Sequence, residues 1–93
     1  MDCKGKITMS EINNEFLKFV ELVEKDGALN SKTKHLIGMA IAITKNCKPC
    51  IDIHKKAAIK LGATSEEISE TSWVAVLMDG GPSYIHTKDL RTK

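Results

Sequence analysis

Apolar side chains return along this chain every three or four residues, and no stretch alternates apolar and polar positions as a half-buried strand would. The series Ile12, Phe16, Phe19, Val20 and Val23 predicts an amphipathic helix. Thr8-x-x-Glu11 opens it as a capping box, and Asp26-Gly27 closes it. A second helix is predicted from Asn30 or Ser31 onward, carrying Leu36, Ile37, Ala40, Ile41, Ile43 and Thr44. Gly38, Ala40 and Ala42 are small and let another helix come close. Asn46 marks a turn, after which a third helix is predicted from about Cys47 to Leu61, with Ile51, Ala57, Ala58 and Leu61 available for packing. Pro49 falls in its first turn, where no hydrogen-bonded amide is lost, and Gly62 suits the position just past its end. Thr64-x-x-Glu67 is a second capping box and opens a fourth helix with Ile68, Thr71, Ser72, Val74, Ala75 and Met78. Asp79-Gly80-Gly81-Pro82 is expected to break that helix, with a short fifth one from about Ser83 to Leu90. The pattern predicts an all-α fold: a small bundle of about five helices, the second and third forming an αα-hairpin around Asn46.

Length narrows this further. The 93 residues are expected to form a single domain, 1–93. A domain of that size buries only about two-thirds of its unfolded surface, which leaves a marginal core and favours self-association. Composition is that of a globular protein, with 42% hydrophobic and 28% charged residues. A net charge of +2, with lysines scattered at Lys18, Lys25, Lys32, Lys34, Lys45, Lys55, Lys56 and Lys60, reads as a solvated surface and argues against a nucleic-acid partner. No apolar run approaches the ~20 residues that span a bilayer, so no membrane partner is expected. The first residues lack the apolar core of a signal peptide, and a cytoplasmic location is expected. Thiols there are kept reduced, and disulfides are mostly transient and catalytic. Three cysteines, an odd number, do not suit a purely structural disulfide framework, and Cys3, near the terminus, is given no role.

The chemistry concentrates in Cys47-Lys48-Pro49-Cys50 and His54. The two thiols lie one helical turn apart, close enough to form a disulfide. Cysteine attacks as the thiolate, which a helix N-terminus or a hydrogen-bonding partner favours. Cys50 and His54 are four apart on one helix and so are side-chain neighbours able to share a proton. Cys50, the only one of the pair with a histidine at that spacing, is expected to ionise more readily than Cys47. A structural zinc site would need a fourth ligand beside Cys47, Cys50 and His54, from His35 or Cys3, and the spacings that signal zinc are absent. A thioredoxin-type arrangement needs a strand before the motif, and none is predicted. Two cysteines buried as small apolar groups would leave the aligned histidine unexplained.

His35 lies twelve residues before Cys47 on the second helix. Across a hairpin turning at Asn46, a rise of ~1.5 Å per residue leaves His35 and His54 offset by only ~4–5 Å along the axis, within reach of contact. The alternative is a solvent-exposed histidine beside Lys34. His86 is expected at the surface. Trp73, the one tryptophan, is expected in the core or at a subunit interface. Glu66, Glu67 and Glu70 suit the N-terminal end of a helix and need no catalytic role.

Lys32-Thr33-Lys34 before an Ala/Ile-rich helix, Cys47-x-x-Cys50-x-x-x-His54, Ala58 to Gly62-Ala63-Thr64, and Val76-Leu77-Met78 before Gly80-Gly81-Pro82 together resemble the AhpD-like alkylhydroperoxidases of the carboxymuconolactone decarboxylase family. The resemblance covers about residues 15 to 87. The decarboxylase branch lacks the cysteine pair, which puts this chain nearer the peroxidase-like branch. The resemblance implies an all-helical fold assembling into homotrimers or homohexamers, and thiol-dependent reduction of hydroperoxides. It makes Cys50 the peroxidatic cysteine, Cys47 the resolving one and His54 part of a Glu–His proton relay. Two positions depart from that pattern: the relay glutamate is His35 here, and the histidine between the cysteines is Pro49. A neutral imidazole can pass a proton, but it does not stabilise a cationic His54 as a carboxylate would.

The expected cycle needs a hydroperoxide substrate and an external dithiol reductant, and requires no metal or bound cofactor. A general disulfide oxidoreductase with little taste for peroxide, and a non-catalytic zinc-binding or assembly module, are the alternatives.

Overall fold

A computed structural model describes residues 5–91, so Cys3 lies outside the described residues. Four α-helices follow one another, α1 (Met9–Glu24), α2 (Ser31–Thr44), α3 (Lys48–Lys60) and α4 (Ser65–His86), and a 3₁₀ turn (Lys88–Leu90) follows them. Among the described residues there is no strand.

The helix ends are set by the residues that the sequence marks. In α1 the Thr8 hydroxyl accepts from the Glu11 amide at 3.1 Å while the Glu11 carboxylate accepts from the Thr8 amide at 2.8 Å. Thr64 and Glu67 repeat the exchange at α4, at 3.0 and 2.9 Å. Asn30 caps α2 by accepting from the Thr33 amide at 2.8 Å.

Both ends of the stretch that carries the cysteines are Schellman turns. After α2, Asn46 takes a left-handed φ of 56°, its N–H bonds to the Ile43 carbonyl at 3.1 Å, and that of Cys47 bonds to the Ala42 carbonyl at 3.0 Å. Asparagine tolerates that region better than most residues. Gly62 plays the same part after α3, with φ 101° and bonds from Gly62 to Ile59 and from Ala63 to Ala58. The chain therefore reverses at one residue, and Cys47 serves at once as the end of the turn and the N-cap of α3.

At α4 one expectation changes and another is narrowed. Asp79-Gly80-Gly81-Pro82 does not break the helix, which continues to His86, so among the described residues there are four helices and a 3₁₀ turn where about five helices were expected. A proline inside a helix removes one backbone bond, here the one to the Met78 carbonyl, and Gly80 and Gly81 stay out of the left-handed region. Trp73 is 67% exposed and contributes nothing to the core of the protomer.

α2 is the central element, with α3 and α4 packed against it. Its buried stripe is His35, Met39 and Ala42, spaced i, i+4, i+7, and the buried residues of the helices packed against it are Ala58 of α3 and Ala75 of α4. Ile37 and Ile41, expected to pack, point away and are about half exposed. α2 is apolar nearly all round, and periodicity alone does not say which side faces inward. α1 buries no residue at all. The protomer is extended, 68 × 35 × 26 Å, with a radius of gyration of 18.6 Å. A compact domain of this length has about 12 Å. Its accessible surface of 7676 Å² likewise exceeds the roughly 5,300 Å² of a compact monomer of this mass.

Lys32 departs from the solvated pattern expected of the lysines. Half-buried, it reaches from α2 to Glu67 of α4 at 3.0 Å. The Thr64 amide and then Lys32 hold the Glu67 carboxyl below its ordinary range. A group whose pKa is lowered on folding adds stability above its unfolded value and loses it as pH falls through the folded one. Glu67→Gln is therefore expected to lower the melting temperature at pH 7 and to leave it unchanged at pH values low enough to protonate the wild-type carboxyl, as checked by thermal melts at both pH values.

Candidate functional site: a cysteine pair beside two histidines

Cys47 and Cys50 are joined as a disulfide, with their Cα atoms 5.3 Å apart. Both are half-buried at the start of α3, where Pro49 takes the second helical position and Cys50 the third. The first amide to bond back along α3 is that of Ile51, to the Cys47 carbonyl at 3.0 Å. The Cys50 amide thus belongs to the unsatisfied N-terminal set, an environment that favours negative charge on a reduced Cys50 sulfur.

One turn further, His54 meets His35 across the hairpin. Their Nδ1 atoms are 2.9 Å apart, a hydrogen bond whose donor depends on the tautomers, and the rings are tilted by 39° with centroids 5.2 Å apart. His35 is only 7% exposed, so the solvent-exposed alternative does not hold for it. Gly38 makes room for this contact. A Cβ built there would lie 3.2 Å from three atoms of the His54 ring. The small-residue face of α2 admits a histidine ring as well as a helix.

Behind His35 stands Glu24, from the last turn of α1, its Oε1 4.0 Å from His35 Nε2. An open cleft of about 460 Å³ runs in front of these groups, lined by Val23, Glu24, Leu29, Ile37, Gly38 and both histidines, with Lys34 at its edge. Lys34 donates to the Lys25 carbonyl at 2.6 Å. A separate, apolar groove lies far along α4, lined by Leu77, Met78, Pro82, Ile85 and the exposed His86, and carries no cysteine.

Glu24, His35 and His54 offer one ligand atom each within 4.8 Å of one another, the make-up of a two-histidine, one-carboxylate cation set. The 2.9 Å bond, however, points the two Nδ1 atoms at each other, so a cation bound through either of them would have to break it. Cys47 and Cys50, bonded to each other, are not ligands in this state.

Of the four residues picked out by sequence, the structure pairs Cys47 with Cys50 and His35 with His54, on the two arms of one hairpin. Glu24 was missed. Its signal was present: four residues after Val20 and eight after Phe16, it puts a carboxylate on the apolar face of α1.

A cysteine pair at a helix start, backed by two facing histidines inside an all-helical fold, marks a thiol protein of the AhpD-like architecture. The chain belongs to the carboxymuconolactone decarboxylase family, whose profile matches residues 11–90. It is 43% identical over 77 residues to an uncharacterised protein of the cox locus of Paracoccus denitrificans, covering 83% of this chain and 69% of that one. An uncharacterised protein of Cupriavidus necator is 31% identical over 71 residues, which span 76% of this chain but only 63% of the relative. Among solved structures, an apo carboxymuconolactone decarboxylase family protein from Legionella pneumophila superposes with a TM-score of 0.73 at 46% identity, covering 84% of this chain and 70% of its own. Another, from Thermotoga maritima, for which a part in an antioxidative response has been suggested, matches at 0.70 and 27% identity over 90% of this chain and 84% of its own.

Proposed function

We propose that the protein is a thiol-dependent peroxidase that reduces hydroperoxides through a cycle between the Cys47/Cys50 dithiol and its disulfide. The observation that carries this is the disulfide-bonded pair at the start of α3, one turn before a histidine that is itself hydrogen-bonded to a second. His54 takes the Cys50 proton. The thiolate attacks the terminal oxygen of the hydroperoxide: an S–O bond forms, the O–O bond breaks, and the departing alkoxide takes a proton to leave as the alcohol. Sulfur is oxidised by two electrons and the peroxide is reduced by two. Cys47 then attacks the Cys50 sulfur, the S–S bond forms, and hydroxide leaves as water once protonated. An external dithiol returns both sulfurs to thiols by exchange.

Thiol titration tests this directly. One equivalent of an alkyl hydroperoxide should remove two thiols per chain and yield one equivalent of alcohol. No loss of thiol would sink the proposal. Loss of thiols to a model disulfide but not to peroxide would favour a general disulfide oxidoreductase, a reading to which Pro49 between the cysteines lends support.

The working form is a homo-oligomer, a trimer or hexamer, in the cytoplasm. The unburied face of α1, with Phe16 and Phe19 each more than half exposed, and the exposed Trp73 support subunit contacts, as does the extended shape. Light scattering at micromolar concentration should give a multiple of the 10.2 kDa chain mass, and a monomeric value would overturn the assignment. Among the described residues no helix is long and apolar enough to cross a membrane.

A further inference from the structure

Two neutral imidazoles can keep a 2.9 Å Nδ1–Nδ1 contact only if one of them carries hydrogen on that nitrogen and the other does not. If His54 donates, its Nε2 is a bare lone pair and His35 holds its hydrogen on Nε2. If His35 donates, its own Nε2 is bare and His54 carries hydrogen on Nε2, with no ring atom left to accept another. Only the first arrangement makes His54 a base. The two histidines alone do not decide between them.

The group that breaks the tie is on α1. Glu24 Oε1 lies 4.0 Å from Nε2 of the buried His35. A carboxylate there attracts an N–H and repels a lone pair, and a small rotation of the half-exposed Glu24 side chain closes the gap to a hydrogen bond that only an Nε2–H can make. Lys34, the cation at the edge of the same cleft, is turned to the Lys25 carbonyl.

We propose that Glu24 is a positioning residue for the dithiol site: it fixes His35 as the Nε2–H tautomer, which makes His35 Nδ1 the acceptor for His54 Nδ1–H and leaves His54 Nε2 as the atom that takes the Cys50 proton. The inference rests on the reading of His54 as the base for Cys50. In that step the S–H bond breaks, its electron pair stays on sulfur, and an N–H bond forms on His54. The resulting imidazolium points its Nδ1–H at the His35 lone pair, with the Glu24 carboxylate beyond. The negative charge that position 35 lacks is thus supplied from another helix, through one more ring.

Nitrogen-15 NMR of the imidazoles in the reduced full-length protein reads the tautomers without any activity. The expected spectrum shows His35 protonated on Nε2 and His54 on Nδ1. Glu24→Ala should mix both tautomers and slow alkylation of Cys50 at neutral pH by about tenfold, the scale of effect of one opposite charge at 4–6 Å. Glu24→Asp should restore most of both. A wild-type His54 protonated on Nε2, or tautomers indifferent to Glu24→Ala, would overturn the assignment. Tautomers that mix as expected while Cys50 alkylates at its wild-type rate would instead overturn His54 as the base and leave the Glu24–His35–His54 ordering standing.

Discussion

Cys50→Ser is expected to abolish hydroperoxide turnover, while Cys47→Ser stops the cycle one step later, with a sulfenic acid on Cys50 that dimedone traps. The asymmetry comes from position within one turn of helix. Cys50 is the third residue of α3, inside the ring of first-turn amides and four residues before His54. Cys47 is the N-cap, seven residues from His54, its carbonyl already used by the Ile51 amide. Both sulfurs sense the helix N-terminus, but only Cys50 also has a proton acceptor at neighbour spacing. Once Cys50 is oxidised, Cys47 is the nearest nucleophile, so removing it strands the intermediate instead of preventing it. Mass spectrometry of the dimedone adduct gives the site. Rates of iodoacetamide reaction in the two single variants give the order of reactivity. Faster alkylation of Cys47 than of Cys50 would reverse the roles.

Much of this site is legible in the sequence because it is built from local rules. One residue with positive φ, Asn46, ends α2, and the next caps α3, so counting outward from the turn places His35 against His54. Capping boxes at Thr8 and Thr64 fix the other helix starts in the same way. What is not legible is what depends on helices far apart in the chain. Glu24 meets His35 only because α1 leans its last turn on α2, and no spacing between positions 24 and 35 specifies that. Trp73 and Phe16 show the complementary difficulty. Periodicity puts Phe16 on an apolar face and the size of Trp73 suits a core or an interface, yet within one protomer both are exposed, and nothing in a single chain says which surface covers an apolar face. At Gly80-Gly81-Pro82 the local rule gave the wrong result. Breaking propensity is a cost of a few kcal/mol and not a prohibition, and α4 absorbs it.

Gly38→Val is expected to reduce turnover roughly a hundredfold, the scale on which a displacement of about 1 Å at a reacting group is felt. The glycine sits mid-helix, where alanine would be preferred by about 1 kcal/mol. Its presence is explained by the His54 ring, three atoms of which would stand 3.2 Å from a Cβ. Alanine asks the ring to yield by a few tenths of an ångström. Gly38→Ala should therefore fold at least as stably as the wild type and lose activity only mildly, as the gain in helix propensity offsets the crowding. Valine adds two branched carbons aimed at the same ring, which can clear them only by giving up the 2.9 Å bond to His35. The damage should thus run through His54 and not through the fold. Adding Gly38→Val to His54→Ala should cost nothing further in peroxidase rate, since contacting residues that act as one unit are not additive. Steady-state kinetics of the two single variants and the double variant, with a thermal melt of each, provide the measurement. Additive losses, or a Gly38→Val protein that turns over at the wild-type rate, would show that the close approach of α2 to His54 is packing alone.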